Sequence, residues 1–322
     1  MSSDKILVTG ANGQLGSALI PYLTDIYGDD NVIATDIKES GRALPRFELL
    51  DVTDAAALSQ LIRRHRISQI YHLAAVLSAK GEKNPLDTWN INTGTFFNVL
   101  EAARSLELGK VFFPSSIAVF GDSLDRELAG QHVSLLPATA YGMSKAASES
   151  WIAYYYRRYG LDVRSLRYPG IVGYQSSPGG GTTDYAVDIF HKAVSGQTFH
   201  CFLKEDTTLP MIYMEDAIVA TLQLMEAPSE RIGVRTSYNL AGMSFSPAEV
   251  AAEIRNHYPD FKIVYEPDFR QEIADTWPKR IDDTEARRDW GWKPRFDLAS
   301  MTADMINHLE VTQRTPGLCL TK

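Results

Sequence analysis

Residues 5–16 read KILVTGANGQLG, and the fold turns on how that run is understood. An apolar stretch ends at Gly10, further glycines stand at Gly13 and Gly16, and a helix-like segment runs from Gln14 to about Tyr27. In a strand-to-helix turn the first glycine permits the tight bend and the second lets backbone approach a pyrophosphate. The third lets helix and strand pack closely. The helix N-terminus adds free N–H groups and a partial positive charge. The spacing is GxxGxxG rather than GxGxxG, and glycines alone also make bare turns. Context favours a dinucleotide: a second apolar run, NVIATD (31–36), ends in Asp36, about 20 residues on, where a ribose-binding carboxylate belongs. Such a carboxylate accepts bonds from free ribose hydroxyls and repels a 2′-phosphate. Lys38 and Arg42 stand nearby without replacing it, so NAD is expected rather than NADP.

Outward from this motif, short β-rich runs alternate with helical segments. ISQIYHLAA (67–75), KVFFPSS (110–116) and LDVRSLRYPG (161–170) read as strands, and 85–107 and 141–159 as helices. That alternation implies parallel strands with crossover helices, a Rossmann-type doubly wound α/β sheet. After residue 170 Gly and Pro become denser and the rhythm breaks. The expected division is a NAD-binding domain over 1–172 and a smaller substrate-binding lobe over 173–322. Residues 210–230, which include MEDAIVATLQLM (214–225), are expected to pack back on the main domain.

The bulk numbers fit this class. The chain has 322 residues, 44% apolar and 22% charged, with a formal net charge of −8. That charge repels phosphate backbones and no basic block stands out, which argues against nucleic acid. No apolar run approaches the ~20 residues of a membrane span, and the N-terminus shows no basic-then-apolar leader pattern. Cys201 and Cys319 are far apart and suit a reducing cytoplasm. His65, His72, His132 and His191 are scattered, so no metal is expected.

YGMSK places Tyr141 and Lys145 at i and i+4, on one helix face. A free tyrosine titrates near 10, too high for a base at neutral pH. A nearby ammonium stabilises the phenolate and brings it toward the working range. Ser116, at the end of the preceding strand, is placed to hydrogen-bond the same substrate oxygen. Tyr–Lys pairs at this spacing are more often surface decoration, and it is the upstream dinucleotide motif that favours the chemical reading.

Taken together, TGANGQLG, Asp36, Asp51-Val52, LAA (73–75), NINTGTFFNVLEAAR with Asn92, SSIAVFG, YGMSK and RYPGIVG resemble the extended short-chain dehydrogenase/reductase superfamily, in its epimerase-like branch. The resemblance spans nearly the whole chain. It implies Tyr141 as general base, Lys145 also on the nicotinamide ribose, and Ser116 as the catalytic serine. It further implies cofactor contacts from Gly10, Asn12, Gly13, Gln14, Leu15, Gly16, Asp36 and Ile37. Asp51 and Val52 would lie at the adenine, and Leu73, Ala74, Ala75, Asn92 and Ser115 along the cofactor. Tyr168 through Ile171 would meet the nicotinamide. Phe120 departs from the branch, which often has tyrosine there.

A second glycine-rich run, PGGGTTDYAVDIF (178–190), precedes an apolar stripe at helical spacing. Its helix N-terminus, with Gly181, Thr182 and Thr183, suits a carboxylate. A plain helix cap with glycines for the turn suits the residues equally well. This run and IADTWPKRIDD (273–283) resemble the short-chain-type L-threonine 3-dehydrogenases. That resemblance implies oxidation of the threonine C3 hydroxyl to 2-amino-3-oxobutanoate with hydride passing to NAD. Thr182 and Thr183 would hold the carboxylate, Ser78 would reach the substrate, and Trp277 would cover it; for Trp277, ordinary packing between lobes is the alternative. One rival is an NAD-dependent nucleotide-sugar epimerase or dehydratase, for which Arg231, Arg235 and Arg280 would have to serve the diphosphate. Another is a non-catalytic NAD sensor, which the presence of Ser116, Tyr141 and Lys145 disfavours. In ASESWIAYYYRRYG, Trp151, Tyr154, Tyr155, Tyr156 and Tyr159 are too many aromatics for one core stripe, and a homodimer is expected.

Overall fold

In a computed structural model of the chain, residues 4–41, 44, 46–121, 126–175, 179 and 181–314 are described. Arg42, Gly180 and Cys319, singled out above, lie outside them. The first half runs β1 (Ile6–Thr9), α1 (Gln14–Tyr27), β2 (Val32–Asp36), β3 (Phe47–Leu49), α2 (Ala55–His65), β4 (Gln69–His72), α3 (Ser78–Gly81), α4 (Pro85–Ser105), β5 (Lys110–Ser116) and α5 (Ala140–Tyr159). It continues with β6 (Val163–Tyr168), β7 (Gly170–Val172), α6 (Tyr185–Val194), β8 (Phe199–Cys201), β9 (Leu209–Tyr213), α7 (Met214–Glu226) and β10 (Tyr238–Asn239). Last come β11 (Met243–Phe245), α8 (Pro247–Arg255), β12 (Ile263–Tyr265), α9 (Phe269–Ala274), α10 (Thr284–Trp290) and α11 (Leu298–Arg314).

Seven strands form one parallel sheet in the order β10-β6-β5-β4-β1-β2-β3. The doubly wound α/β architecture is therefore the one the sequence rhythm implies. Side chains alternate across the sheet with the strand period of two. Leu7, Ile33, Ile70, Phe113 and Val163 meet α2, α4 and α5 on one face. Ile6, Val8, Tyr71, Phe112 and Leu166 meet α1, α7 and α10 on the other. The short edge strand β3 was not read from the sequence, having only three residues and no apolar run.

A second apolar cluster joins α6, α8, α11, β8 and β9, and includes Trp277. Its sheets are small: β11-β9-β7 and β12-β8. The main sheet takes its last strand, β10, from residues far down the chain, and α7 lies against β6 and α1. Among the described residues no helix is long and apolar enough to cross a membrane.

The strand order reverses at β1, which pairs with β2 on one side and β4 on the other. In open α/β sheets the crevice outside the carboxyl ends at such a point is where ligands bind. Thr9 Oγ1 and His72 Nδ1, 2.8 Å apart, join the two strand ends there.

Candidate active site

Three adjoining cavities follow the carboxyl edge of the main sheet. The first, about 430 Å³, is walled by Gly10, Gly13, Asp36, Ile37, Asp51, Val52 and Leu73–Ala75. The second, about 230 Å³, shares Gly10, Gly13, Leu73 and Ala75 with it and adds Gln14, Leu15, Gly16, Ser115, Ser116, Tyr141, Lys145, Tyr168 and Ile171. The third, about 130 Å³, continues from Gln14, Ser116, Tyr141 and Ile171 to Ser78, Gly181, Thr182, Thr183, Asp184 and Trp277.

The glycine turn is built for close approach. Gly10 has φ +74°, and a Cβ there would lie 2.6 Å from Ala74 N. At Gly16 a Cβ would come 2.4 Å from Gly10 O, so α1 seats on the turn only with glycine. Asp36, at the end of β2, accepts the Asn12 N–H at 3.0 Å and the Lys38 N–H at 3.3 Å. Asn12 and Asn92 stand back from the cavity walls. Asn12 Nδ2 donates to Lys38 O (2.9 Å), bracing the turn after β2. Asn92 grips Val76, accepting its N–H at 2.8 Å and donating to its carbonyl at 3.0 Å, and so fixes the loop carrying Leu73–Ala75.

Tyr141 lies in the first turn of α5, capped by the Thr139 side chain accepting the Gly142 N–H at 3.0 Å. Burial pushes its phenol up to about 12, against a hydrogen bond from Ser116 that favours ionisation. Lys145, 3% exposed, donates to Pro114 O at 2.7 Å, and its Nζ lies 5.6 Å from the Tyr141 ring centre. Burial brings the ammonium down to about 7. Ser115 and Ser116 differ as neighbours on a strand must: Ser116 shares the cavity wall with Tyr141, while the Ser115 hydroxyl donates to Glu149 at 2.6 Å. Beneath them His72 is pushed down to about 3 by burial and by the charge of Lys145, and stays neutral.

The run 178–190 turns into α6 at Tyr185, with Asp184 at its N-cap. Thr182 is 1% exposed, and its Oγ1 has no hydrogen-bond partner among the described residues. A buried hydroxyl without a partner is costly, and this one belongs to a cavity wall. The Gly181 N–H is already held by Asp184 Oδ2 at 2.8 Å. Among the described residues Asp184 is also the one formally charged side chain in that wall. Reading the run as glycines and threonines missed it; its place at the helix cap was the available signal. Trp277, 7% exposed, lines the cavity and belongs to the apolar cluster, so covering and packing are the same placement. Arg231, Arg235 and Arg280 are absent from the wall. Arg235 pairs with Asp162 at 2.9 Å, and Arg280 Nε donates to Glu127 O at 3.4 Å.

Residues 6–241 match the family model described as NAD dependent epimerase/dehydratase family. The chain belongs to the NAD-dependent epimerase/dehydratase family. An uncharacterized epimerase/dehydratase of Staphylococcus haemolyticus is 45% identical over 312 residues, 95% of this chain and 98% of that protein. Among solved structures, a GalE-like L-threonine dehydrogenase from Cupriavidus necator in its holo form is 53% identical. It has a TM-score of 0.92 and covers 95% of this chain and 99% of that one. A monomeric L-threonine 3-dehydrogenase of metagenome origin is 45% identical, with a TM-score of 0.93, over 95% and 99%.

Family membership makes the protein an NAD-dependent enzyme, and its residues fit that cofactor. The side-chain-free cradle at Gly10 and Gly13, the carboxylate of Asp36 and the two adjoining cavities that share Gly10 and Gly13 fit a dinucleotide. Leu50, Thr53, Val76, Ile91 and Thr95, to which the sequence reading gave no contact, also line this first cavity.

Proposed function

We propose that the protein oxidises the C3 hydroxyl of L-threonine, giving 2-amino-3-oxobutanoate. The observation that carries this reading is the third cavity. It is small, lined by Trp277, and walled among the described residues by apolar and neutral hydrogen-bonding groups and a single carboxylate. An amino acid fits that chemistry. Asp184 attracts its ammonium, and the hydroxyls of Ser78, Thr182 and Thr183 suit its carboxylate. A nucleotide sugar is served by cations at its diphosphate, and among the described residues no cation lines this wall. The L-threonine dehydrogenases among the similar structures agree with the same substrate.

In this reading Gly10, Gly13 and Gly16 hold the pyrophosphate side, and Asp36 and Ile37 the adenosine ribose. Asp51, Val52 and Leu73–Ala75 flank the adenine end. Leu15, Ser115, Lys145, Tyr168 and Ile171 surround the nicotinamide end, with Gln14 between cofactor and substrate. Held by these residues, NAD would supply the hydride acceptor for the carbon that loses its hydrogen. Ser116 orients the substrate hydroxyl while Tyr141 takes its proton, and Lys145 stabilises the phenolate. Exposed aromatics on α5 support self-association of two copies, also a proposal.

The deciding measurement is NADH formation by the purified protein with L-threonine in excess NAD, beside a panel of nucleotide sugars. Turnover of threonine alone is expected; no NADH from threonine would sink the proposal.

A further inference from the structure

Behind the catalytic edge lies a charged pair closed off from water, to which the proposed reaction assigns nothing. Tyr141, Lys145 and Glu149 follow one another at four-residue spacing on α5, and Arg167 faces Glu149 from β6. The pair is 1% and 3% exposed. Arg167 Nη2 donates to Glu149 Oε2 at 2.7 Å and Nε to Oε1 at 3.0 Å. Its Nη1 donates to Gln131 O and to Asn239 Oδ1, both at 3.0 Å. Glu149 Oε1 also accepts the Ser115 hydroxyl at 2.6 Å. Ser115 and Ser116 point to opposite faces of β5, so fastening one fixes where the other points.

The network continues toward the cover of the substrate cavity. Asn239 Nδ2 donates to Ala129 O at 3.2 Å and to Asp282 O at 3.0 Å. Ala129 N donates to Arg280 O, and Asp282 N to Ala129 O, both at 2.9 Å. These bonds hold the segment that carries Trp277. A buried ion pair is a weak source of stability, because desolvation offsets its attraction and apolar residues of like volume often do as well. What a fully bonded pair does provide is fixed geometry.

We infer that Glu149 and Arg167 form a positioning pair. It holds the end of β5 against α5 so that Ser116 meets Tyr141, and it ties the Trp277 segment to the same point. The inference rests on the proposed role of Tyr141 as base. The Ser116 hydrogen bond opposes the effect of burial on Tyr141, so a slackened Ser116 leaves the phenol harder to ionise. The charged groups around Tyr141 are Lys145 on its own helix, Asp184 across the cavity, and Glu82, which accepts the Ala140 N–H at 2.7 Å. None of them changes in the variants below.

The test uses the full chain, with Ser115→Ala, Glu149→Gln and Tyr141→Phe. Ultraviolet difference titration against Tyr141→Phe follows ionisation of this phenol without turnover. Kinetics with L-threonine, NAD titrations and thermal melts accompany it. In Ser115→Ala and Glu149→Gln the Tyr141 midpoint is expected to rise by about one pH unit, and kcat to fall about tenfold or more. NAD affinity is expected to stay within about twofold in Glu149→Gln, and kcat of Ser115→Ala is read at saturating NAD because Ser115 also lines the cofactor cavity. Glu149→Gln leaves the Arg167 charge unpaired and loses stability on that account. Ser115→Ala strands no charge and is the deciding variant. An unmoved Tyr141 midpoint with wild-type kcat in Ser115→Ala overturns the inference and makes the pair structural only. If the wild-type protein leaves threonine untouched, the proposed reaction falls, while the titration still decides the pair.

Discussion

At the scale of single residues, Tyr141 and Thr182 make opposite demands on their surroundings. Tyr141 must lose a proton, yet burial holds its phenol at about 12. Protonated at neutral pH, it becomes a base only as pH rises, so kcat/KM for threonine is expected to climb from neutral into the alkaline range. Lys145→Met should lower kcat at and below neutral pH, where the ammonium is still charged and favours the phenolate. Tyr141→Phe should lower kcat by about 10² to 10⁴ with NAD still bound. A pH profile flat through this range would remove Tyr141 as the titrating base. Thr182 carries a buried hydroxyl with no partner among the described residues. Thr182→Val keeps its shape and discards the donor. KM for threonine should rise about tenfold, or about 1.4 kcal/mol. The melting temperature should hold or rise, because an unpartnered buried hydroxyl is itself destabilising by about 1–3 kcal/mol. An unchanged KM would mean that this hydroxyl meets no ligand.

At the scale of elements, the seating of α5 decides where Tyr141 stands. Gly142, the second residue of YGMSK, lies against the turn 117–119: a Cβ there would come 2.1 Å from Ala118 O and 2.8 Å from Pro137 Cβ. Gly142→Ala must therefore push the first turn of α5 off that support. A stability loss of about 1–3 kcal/mol is expected in denaturant melts, together with a fall in kcat larger than the change in NAD affinity. Wild-type kinetics would show that α5 absorbs the methyl without moving Tyr141. The elements around this helix were readable because their sequence is periodic: β1, α1, β5 and α5 each carry their pattern within one run. Strand β3, with three residues, carries none. Glu149 and Arg167 were not legible as a site for another reason. Each gains its meaning from partners far away in sequence, as Arg167 does from Gln131 and Asn239, and spacing along one segment cannot report that. The glycine turn and the Ser116–Tyr141–Lys145 set could be read because their geometry is local to a strand end and a helix face.

At the scale of the whole molecule, the unspent feature is the outer surface of α4 and α5. Tyr155 turns into the core, whereas Trp151, Tyr154 and Tyr159 are 41%, 42% and 46% exposed, and on α4 Leu86 and Trp89 are 77% and 39% exposed. Trp151 packs edge-on against Phe97 of α4 at 5.0 Å and against Tyr154 at 5.4 Å, so these aromatics form one patch across both helices. Contiguous apolar surface of this kind marks an interaction site. Two helices presenting the same face to a second copy satisfy a two-fold contact. The fold does not require this, since one similar structure is described as monomeric. Light scattering on the purified protein is expected to give twice the mass of one chain. Trp151→Glu with Tyr154→Glu should bring it to the mass of one. Neither Trp151 nor Tyr154 lines the cofactor cavities, so NAD binding should survive in the single copy. A wild-type protein that runs as one chain at micromolar concentration would leave these aromatics without a partner and end the dimer reading.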